Sequence, residues 1–129
     1  MAAGIYDIII EQGADWRLVI TWKDAEGAPV DLTGYTARMQ VRESFSSKLK
    51  VFELTTEDGR ITLGGTDGIV TMELPAAASA AVAINPAKTA WIDGKQAQQL
   101  VFDLEMISAA GAVTRLIQGA ALFVPEVTK

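Results

Sequence analysis

Two carboxylates lie two residues apart at Asp103 and Glu105, a spacing at which a pair of catalytic acids could form. Paired carboxylates that flank a sugar carry out glycoside hydrolysis, in which burial holds one of them protonated. Here Leu100, Phe102 and Leu104 occupy the alternate positions. Alternation at period two places both carboxylates on the solvated face of a strand, where neither has the burial of a general acid. We therefore predict no catalytic residues and a protein that is not an enzyme.

Histidine and cysteine are both missing from the 129 residues. The commonest general base is thereby excluded, together with Ser-His-Asp and Cys-His sites. Disulfides and thiolate or histidine zinc sites are excluded as well. We expect no cofactor.

Acidic turns are the remaining candidates for a metal site. Asp24 with Glu26, and Glu57 with Asp58, each bring two carboxylates into one turn. Calcium requires six to eight converging oxygens, and the chemistry of turns accounts for these residues without an ion. The glycine-rich segment 64–68 lacks the Lys-Ser/Thr ending of a phosphate-binding loop, so it is interpreted as a hairpin turn. No metal is predicted.

Three tryptophans could form a platform for stacking against sugars. Trp16 and Trp22 share the inward face of one predicted strand, so they are assigned to the core. Trp91 stands in an irregular segment, residues 87–95, and is the aromatic residue we predict at an interface. The other candidates for an interface are basic residues of a strand and of the polar loop that follows it, residues 43–50: Arg38, Arg42 and Lys48. That loop is either part of an interface or a solvated connection.

Composition indicates one globular domain that spans residues 1–129. The net charge is −5, and no basic cluster of the kind that binds nucleic acid is present. The longest mostly apolar run, residues 75–84, is far too short to span a membrane. Residues 1–7 lack the basic and apolar regions of a signal peptide. Neither nucleic acid nor membrane is expected as a partner.

Hydrophobic alternation predicts an all-β fold of seven or eight strands with turn signals between them. An alanine-rich stretch that begins at Pro75 and ends before Asn85-Pro86 predicts one short helix. Segment 87–95 is interpreted as a connection, Glu57-Asp58-Gly59 as a hairpin turn and Gly119 as a bulge. The predicted strands cover residues 6–11, 15–22, 35–42, 51–55, 60–63, 69–74, 96–106 and 113–124.

Segment 15–42 shows the alternation clearly on both sides of an acidic hairpin-type turn at residues 23–27. The residues predicted to face the core are Trp16, Leu18, Ile20, Trp22, Tyr35, Ala37, Met39 and Val41. The last strand is predicted to point Leu116, Leu122 and Val124 inward. The residues left outside in segment 15–42 are interpreted as one polar sheet face that can meet a partner: Arg17, Thr21, Arg38, Gln40 and Arg42.

Several short strings occur in an order that resembles a family of small tailed-phage virion proteins, similar to the N-terminal domain of phage baseplate upper proteins. The strings are Glu-Gln-Gly-Ala-Asp-Trp at 11–16, Ile-Thr-Trp-Lys-Asp at 20–24 and Val-Asp-Leu-Thr-Gly-Tyr-Thr-Ala-Arg-Met-Gln-Val-Arg at 30–42. Further matches lie within 54–64 and 104–116. The resemblance covers nearly the whole chain, and it is carried by the order of the strings, since no single one is diagnostic.

The resemblance implies an immunoglobulin-like antiparallel β-sandwich that serves as an attachment or adaptor module in the tail, baseplate or fibre region. In baseplate upper proteins this domain precedes a stalk that leads to the receptor-binding part. No such continuation follows here, so we expect contacts with other virion proteins and a location in the virion, assembled in the host cytoplasm. Virion proteins sit on symmetric assemblies, which favours a homo-oligomer such as a ring or trimer.

Two alternatives remain open from the sequence. The chain could be a structural protein of the capsid or of the head–tail junction. It could also be a carbohydrate-binding module that uses Trp91 and an exposed sheet face.

Overall fold

The computed structural model describes residues 4–92 and 94–127; Met1–Ala3, Asp93, Thr128 and Lys129 lie outside the description. Within these ranges the chain folds into β-strands and one α-helix, α1 (Ala76–Ala80), with 3-10 turns at Gly65–Asp67 and Pro86–Lys88. The strands are β1 (Gly4–Ile5), β2 (Ile8–Glu11), β3 (Trp16–Thr21), β4 (Thr36–Arg42), β5 (Lys50–Thr55), β6 (Ile61–Leu63), β7 (Ile69–Leu74), β8 (Thr89–Ile92), β9 (Lys95–Ile107) and β10 (Val113–Val124).

The strands form two sheets. The larger sheet has seven strands in the order β1-β10-β9-β4-β5, with β2 also paired to β10 and β8 also paired to β9. The smaller sheet has three strands in the order β3-β7-β6. Pairing is antiparallel except that β1 and β2 run parallel to β10. The long strand β9 is the centre of the larger sheet because it pairs with β10, β4 and β8.

The core lies between the sheets and follows the predicted alternation. In β4, Ala37, Met39 and Val41 are buried while the residues between them face out. In β3, the inward residues are half-buried and pack against the core, and the outward ones are exposed. The largest buried side chains are Phe102, Phe123, Ile10, Leu32, Met39, Leu54, Met72, Leu74, Leu100, Leu104, Met106 and Val41.

Strand order identifies the fold as an immunoglobulin-like β-sandwich. The order β3-β7-β6 is that of strands B, E and D, and the order β10-β9-β4-β5 is that of strands G, F, C and C′. The predicted all-β sandwich with one short helix is therefore confirmed. The described residues contain more strands than the seven or eight expected, because Gly4–Ile5 and Thr89–Ile92 also pair, and the pairing of β1 and β2 to β10 is parallel.

Helix α1 is shorter than the predicted helix over residues 75–84 and is fixed at one end of the sandwich. Ser79 is fully buried, and its hydroxyl donates to the carbonyl of Ala14 and accepts from the amide of Gly13, both at 2.9 Å. These two bonds tie the helix to the turn between β2 and β3. A buried hydroxyl in an alanine-rich helix is stable only when it is paired in this way.

Three local predictions are wrong because strand pairing, and not the local sequence alone, decides each of these features. The turn at Glu57–Gly59 does not close a hairpin, since β5 belongs to the larger sheet and β6 to the smaller one. Segment 87–95 is not an irregular connection but contains β8. The bulge lies between Arg115 and Ile117 rather than at Gly119, where a side chain would collide with the carbonyl oxygen of Tyr6.

The shifted bulge also changes which side chains of β10 face the core. Ala121 and Phe123 belong to the buried cluster. The predicted inward residues Leu122 and Val124 lie instead on the opposite face of the strand, although Leu122 is buried there. Leu116, as predicted, packs against the core.

The predicted single polar face of segment 15–42 is also wrong. Arg17 and Thr21 belong to β3 in the smaller sheet, whereas Arg38, Gln40 and Arg42 belong to β4 in the larger sheet. The two groups lie on opposite outer faces of the sandwich, because β3 and β4 are in different layers.

Candidate interaction surface

Charged and amide side chains cover the outer face of the larger sheet where β5, β4, β9 and β10 lie side by side. Strand register brings Arg38 opposite Glu105, and Gln40 opposite both Asp103 and Glu53. On the other side of β9, Arg115 is opposite Glu105. We call this set the polar face: Arg38, Gln40, Arg42, Lys50, Glu53, Asp103, Glu105 and Arg115.

Most of these side chains contact one another. Arg38 pairs with Glu105, with 3.1 Å between the guanidinium and the carboxylate. Arg115 pairs with Asp103, with 3.2 Å between Nε and Oδ2. Ion pairs of this exposure contribute little stability each, so their main effect is to hold the side chains in a fixed arrangement.

Glu53 is held from two sides. Gln40 donates to one carboxylate oxygen at 2.6 Å and Lys50 donates to the other at 3.0 Å. The Gln40 amide oxygen accepts from Arg42 at 2.8 Å, so the network continues along β4. The hydrogen bond from Gln40 lowers the pKa of the Glu53 carboxyl group, and Lys50 contributes in the same direction.

Asp103 behaves differently although it is on the same face. Burial raises the pKa of its carboxyl group, the neighbouring Glu105 carboxylate adds to the rise, and Arg115 opposes it. Asp103 and Glu105 do share one strand face, as predicted, but the predicted full solvation is wrong, because their side chains are 28% and 23% exposed. Each is paired with an arginine, so both carboxylates belong to the charge network of this face.

A loop with two exposed apolar side chains borders the polar face. Residues 43–49 connect β4 to β5, and in this loop Phe45 is 71% exposed and Leu49 is 80% exposed. Arg42 donates to the carbonyl of Ser47 at 2.9 Å, which fastens the loop to the sheet. A groove of about 300 Å³ lies between Phe45 and the side chains of Arg42, Asp103 and Arg115.

The predicted interface residues do not form one patch. Arg38 and Arg42 are together on the polar face, and Lys48 is exposed in the loop beside it. Trp91 is 75% exposed on β8. It lies opposite Gln96 on β9. Gln96 is an even number of residues away from the inward-facing Leu100, so strand alternation places both Gln96 and Trp91 on the face of the sheet opposite the polar face.

Phe45, Leu49 and Arg115 were not predicted as interface residues. A phenylalanine and a leucine within a polar, serine-rich loop carry a signal, because an apolar residue in such a loop has no periodicity to assign it to a core. The sequence carries no such signal for Arg115, because its partner Asp103 can be identified only from the register of β10 against β9.

The acidic turns carry turn hydrogen bonds. The Asp24 carboxylate accepts from the amides of Glu26 and Ala28, both at 3.0 Å. The Asp58 carboxylate accepts from the amide of Arg60 at 2.8 Å. In residues 4–92 and 94–127 no group of three or more acidic side chains is placed to hold a metal ion. Over the same ranges no helix is long and apolar enough to cross a membrane.

No protein-family model matches this sequence, and no curated protein is similar to it in sequence. Similar solved structures include murine CRIg, with 10% identity over 93% of this chain and 92% of that chain at a TM-score of 0.39. The extracellular domain of the voltage-gated sodium channel beta4 subunit has 10% identity over 98% and 97%, with a TM-score of 0.42. Tim-1 has 13% identity over 100% and 99%, with a TM-score of 0.36. Likenesses this distant carry no argument about function, and the fold assignment rests on strand order and register.

Proposed function

We propose that this chain is a non-enzymatic adaptor protein of a tailed-phage virion, located in the tail, baseplate or fibre-attachment region. The setting is supported by the resemblance of residues 11–16, 20–24 and 30–42 to phage virion proteins. The mode of action is supported by the polar face and the loop beside it. The chain joins other virion proteins by contact through this surface.

Exposed apolar side chains next to a fixed polar network are the observation that carries the proposal. Phe45 and Leu49 expose most of their surface within one short loop. Large apolar side chains surrounded by polar groups are typical of protein–protein contact sites, where the apolar residues form the centre and the polar residues the rim. The ion pairs of the polar face are already formed in the free chain, so little side-chain ordering remains to be done on binding.

Purified virions test the setting. Quantitative mass spectrometry of particles should find this chain at a fixed copy number, and its absence from particles would overturn the proposal. Imaging of particles that carry a labelled chain distinguishes the tail or baseplate from the alternative location at the capsid or head–tail junction.

Two variants test the surface. Replacing Phe45 and Leu49 together by serine removes both exposed apolar side chains of the loop. We expect incorporation into particles to fall by at least about tenfold, since each anchor residue of an interface is worth roughly 1–2 kcal/mol. The control is Val113→Ser, because Val113 is exposed like them, at 54%, but stands at the start of β10 away from the loop. Equal incorporation of both variants would exclude this loop as the contact.

Trp91 supports a second candidate function. An indole that is 75% exposed on a sheet strand is suited to stacking on a sugar ring, as a carbohydrate-binding module requires. Binding to a glycan array that is lost in Trp91→Ala would favour this function, and an array without signal above background would remove it.

A further inference from the structure

Strand β3 forms a free edge of the smaller sheet. Among the described residues it pairs only with β7. In immunoglobulin-like sandwiches of the constant type, strand A occupies the position beside strand B and makes a four-stranded sheet. Here the two segments that precede β3 pair instead with β10 in the larger sheet. The position of strand A beside β3 is therefore left open by the described chain.

The backbone groups that point to this open position can be identified from the pairing. The amide of Trp22 donates to the carbonyl of Gly68. The amide of Glu73 points away from β3 and donates to the carbonyl of Arg60, the residue that precedes β6. Since pairing groups alternate along antiparallel strands, Trp16, Leu18 and Ile20 bond to β7. The N–H and C=O groups of Arg17, Val19 and Thr21 therefore point to the open position.

An apolar cleft runs beside the same edge. Its volume is about 470 Å³, and Ile20 and Trp22 line it on the β3 side while Leu116 and Ile117 line it on the β10 side. Gly4 of β1 also borders it, so residues of both sheets line this open cleft. Such a space admits the side chains of a single strand more readily than a whole second domain.

We propose that the edge of β3 binds an extended segment of a partner protein, which adds to the smaller sheet as a fourth strand and places its apolar side chains in the cleft. Backbone hydrogen bonds supply affinity in this mode, and the pockets for alternate side chains supply specificity. The proposal goes beyond the proposed function, because it names a second contact on the opposite layer of the sandwich and the conformation of its partner.

Charge narrows the occupant further. Lys23 borders the cleft at one end of the edge. Arg17 stands on the exposed face near the other end, where its guanidinium is 3.5 Å from the carboxylate of Glu73. A segment with an acidic residue beside Lys23 complements the charge of this lysine.

Two other sheet edges are less open to such pairing. Strand β5 carries Lys50 and Glu53 and lies next to a register shift between Val41 and Arg42. Charged residues and bulges are devices that protect edges from added strands. Strand β6 has only three residues. Of these three edges, we assign strand addition to that of β3.

The test uses the full chain and a short fluorescein-labelled peptide in which valine alternates with threonine and glutamate. We expect saturable binding by fluorescence anisotropy. We also expect slower hydrogen exchange of the Arg17, Val19 and Thr21 amides, with no change at the β5 edge. A matched peptide with N-methyl groups on alternate amides keeps the side chains but loses backbone donors, and it should not bind. Equal binding of both peptides, protection at β5 instead of β3, or no binding of either peptide would each overturn the proposal.

A pair of variants locates the site on the protein. Val19→Pro removes an outward N–H, which an edge strand tolerates because that group bonds to nothing inside the sheet. We expect it to weaken peptide binding about tenfold, whereas Val19→Thr, which keeps the N–H, should bind as the natural chain does. The two peptides decide the question by themselves if Val19→Pro does not fold. Binding that arises only after residues 1–3 are deleted would show that the chain's own N-terminus occupies the edge, and would refute a partner segment.

Discussion

Glu53 and Asp103 lie on the same face of the larger sheet, yet their surroundings move the pKa values of their carboxyl groups in opposite directions. Glu53 accepts from Gln40 and Lys50, which favours its ionised form. Burial favours the neutral form of Asp103, the neighbouring Glu105 carboxylate adds to this effect, and Arg115 opposes it. Their contributions to stability must therefore depend on pH with opposite signs.

Replacing each carboxylate by its amide measures this difference. Glu53 has a folded pKa below its ordinary value of 4.5, so its contribution is present above that value and is lost as the pH falls through the folded pKa. We expect Glu53→Gln to cost about 0.5–1.5 kcal/mol at neutral pH and much less in acid, since charged hydrogen bonds are removed only where the group is charged.

Asp103→Asn is the matched opposite case. The pKa of Asp103 in the folded protein lies above its ordinary value of 3.8. The stabilising contribution of this residue is therefore present below pH 3.8 and is lost as the pH rises through the folded pKa. The asparagine variant should gain stability relative to the natural chain as the pH rises from acid to neutral. Urea unfolding of both variants across this range checks the signs, and stability differences independent of pH would contradict them.

Single-residue patterns explain how much of the candidate surface could be predicted. Alternation in β4 was enough to place Arg38 and Arg42 outside. It could not show that Arg38 meets Glu105, because β4 and β9 are distant in sequence. It could not show that Asp103 meets Arg115 either, because the register of β9 against β10 shifts between Arg115 and Ile117. Exposure of Phe45 depends on how the loop is fastened by Arg42, and no local pattern encodes that bond.

Helix α1 shows the same limit at the scale of an element. Alanine content and Pro75 predict that a helix begins there, but the structure ends it at Ala80, before the apolar residues that follow. Val82 packs into the core instead of extending the helix. The helix is attached to the rest of the fold through Ser79. Helix propensity alone would not single out this residue, because its partners outside the helix belong to the turn before β3.

Ser79→Ala should therefore destabilise the protein even though alanine is the better helix former. The substitution leaves the amide of Gly13 without its 2.9 Å acceptor at a part-buried site, which costs about 1–3 kcal/mol. Thermal or urea unfolding measures the loss. Ser44→Ala is the control, because the Ser44 hydroxyl is exposed and its hydrogen bond, to Ser46, lies within an exposed loop. A Ser79 variant as stable as the control would show that the helix does not need this attachment.

Two glycine-containing turn sequences differ in how well they predict the pairing of the strands that they connect. Glycine-rich residues 64–68 do close the hairpin between β6 and β7, where Gly65 and Gly68 adopt positive φ of 79° and 70°. Residues 57–59 carry a similar signal, yet the chain there crosses from one sheet to the other. A turn sequence fixes the local reversal of the chain but not the sheet that the next strand joins, which is decided by packing in the core.

The whole molecule is held by contacts between distant parts of the chain. The amide of Ala120 donates to Asp7 across 113 positions, and β9 pairs with strands from both sides of the helix. The core residues come from both sheets, so neither sheet buries its inner face without the other. One sheet can hardly persist after the other has come apart.

We therefore expect a single cooperative unfolding transition and refolding in milliseconds to seconds, as is usual for small all-β domains whose strands pair over long sequence distances. The tryptophans allow a direct check. Trp16 and Trp22 report on the smaller sheet, and Trp91 reports on the hairpin of β8 and β9 in the larger one. Fluorescence of Trp91→Phe, which retains the first pair, and of a Trp16→Phe/Trp22→Phe variant should give urea transitions that coincide with far-UV circular dichroism of the same variant. Separate transitions would mean that the two layers unfold independently, which the shared core does not allow.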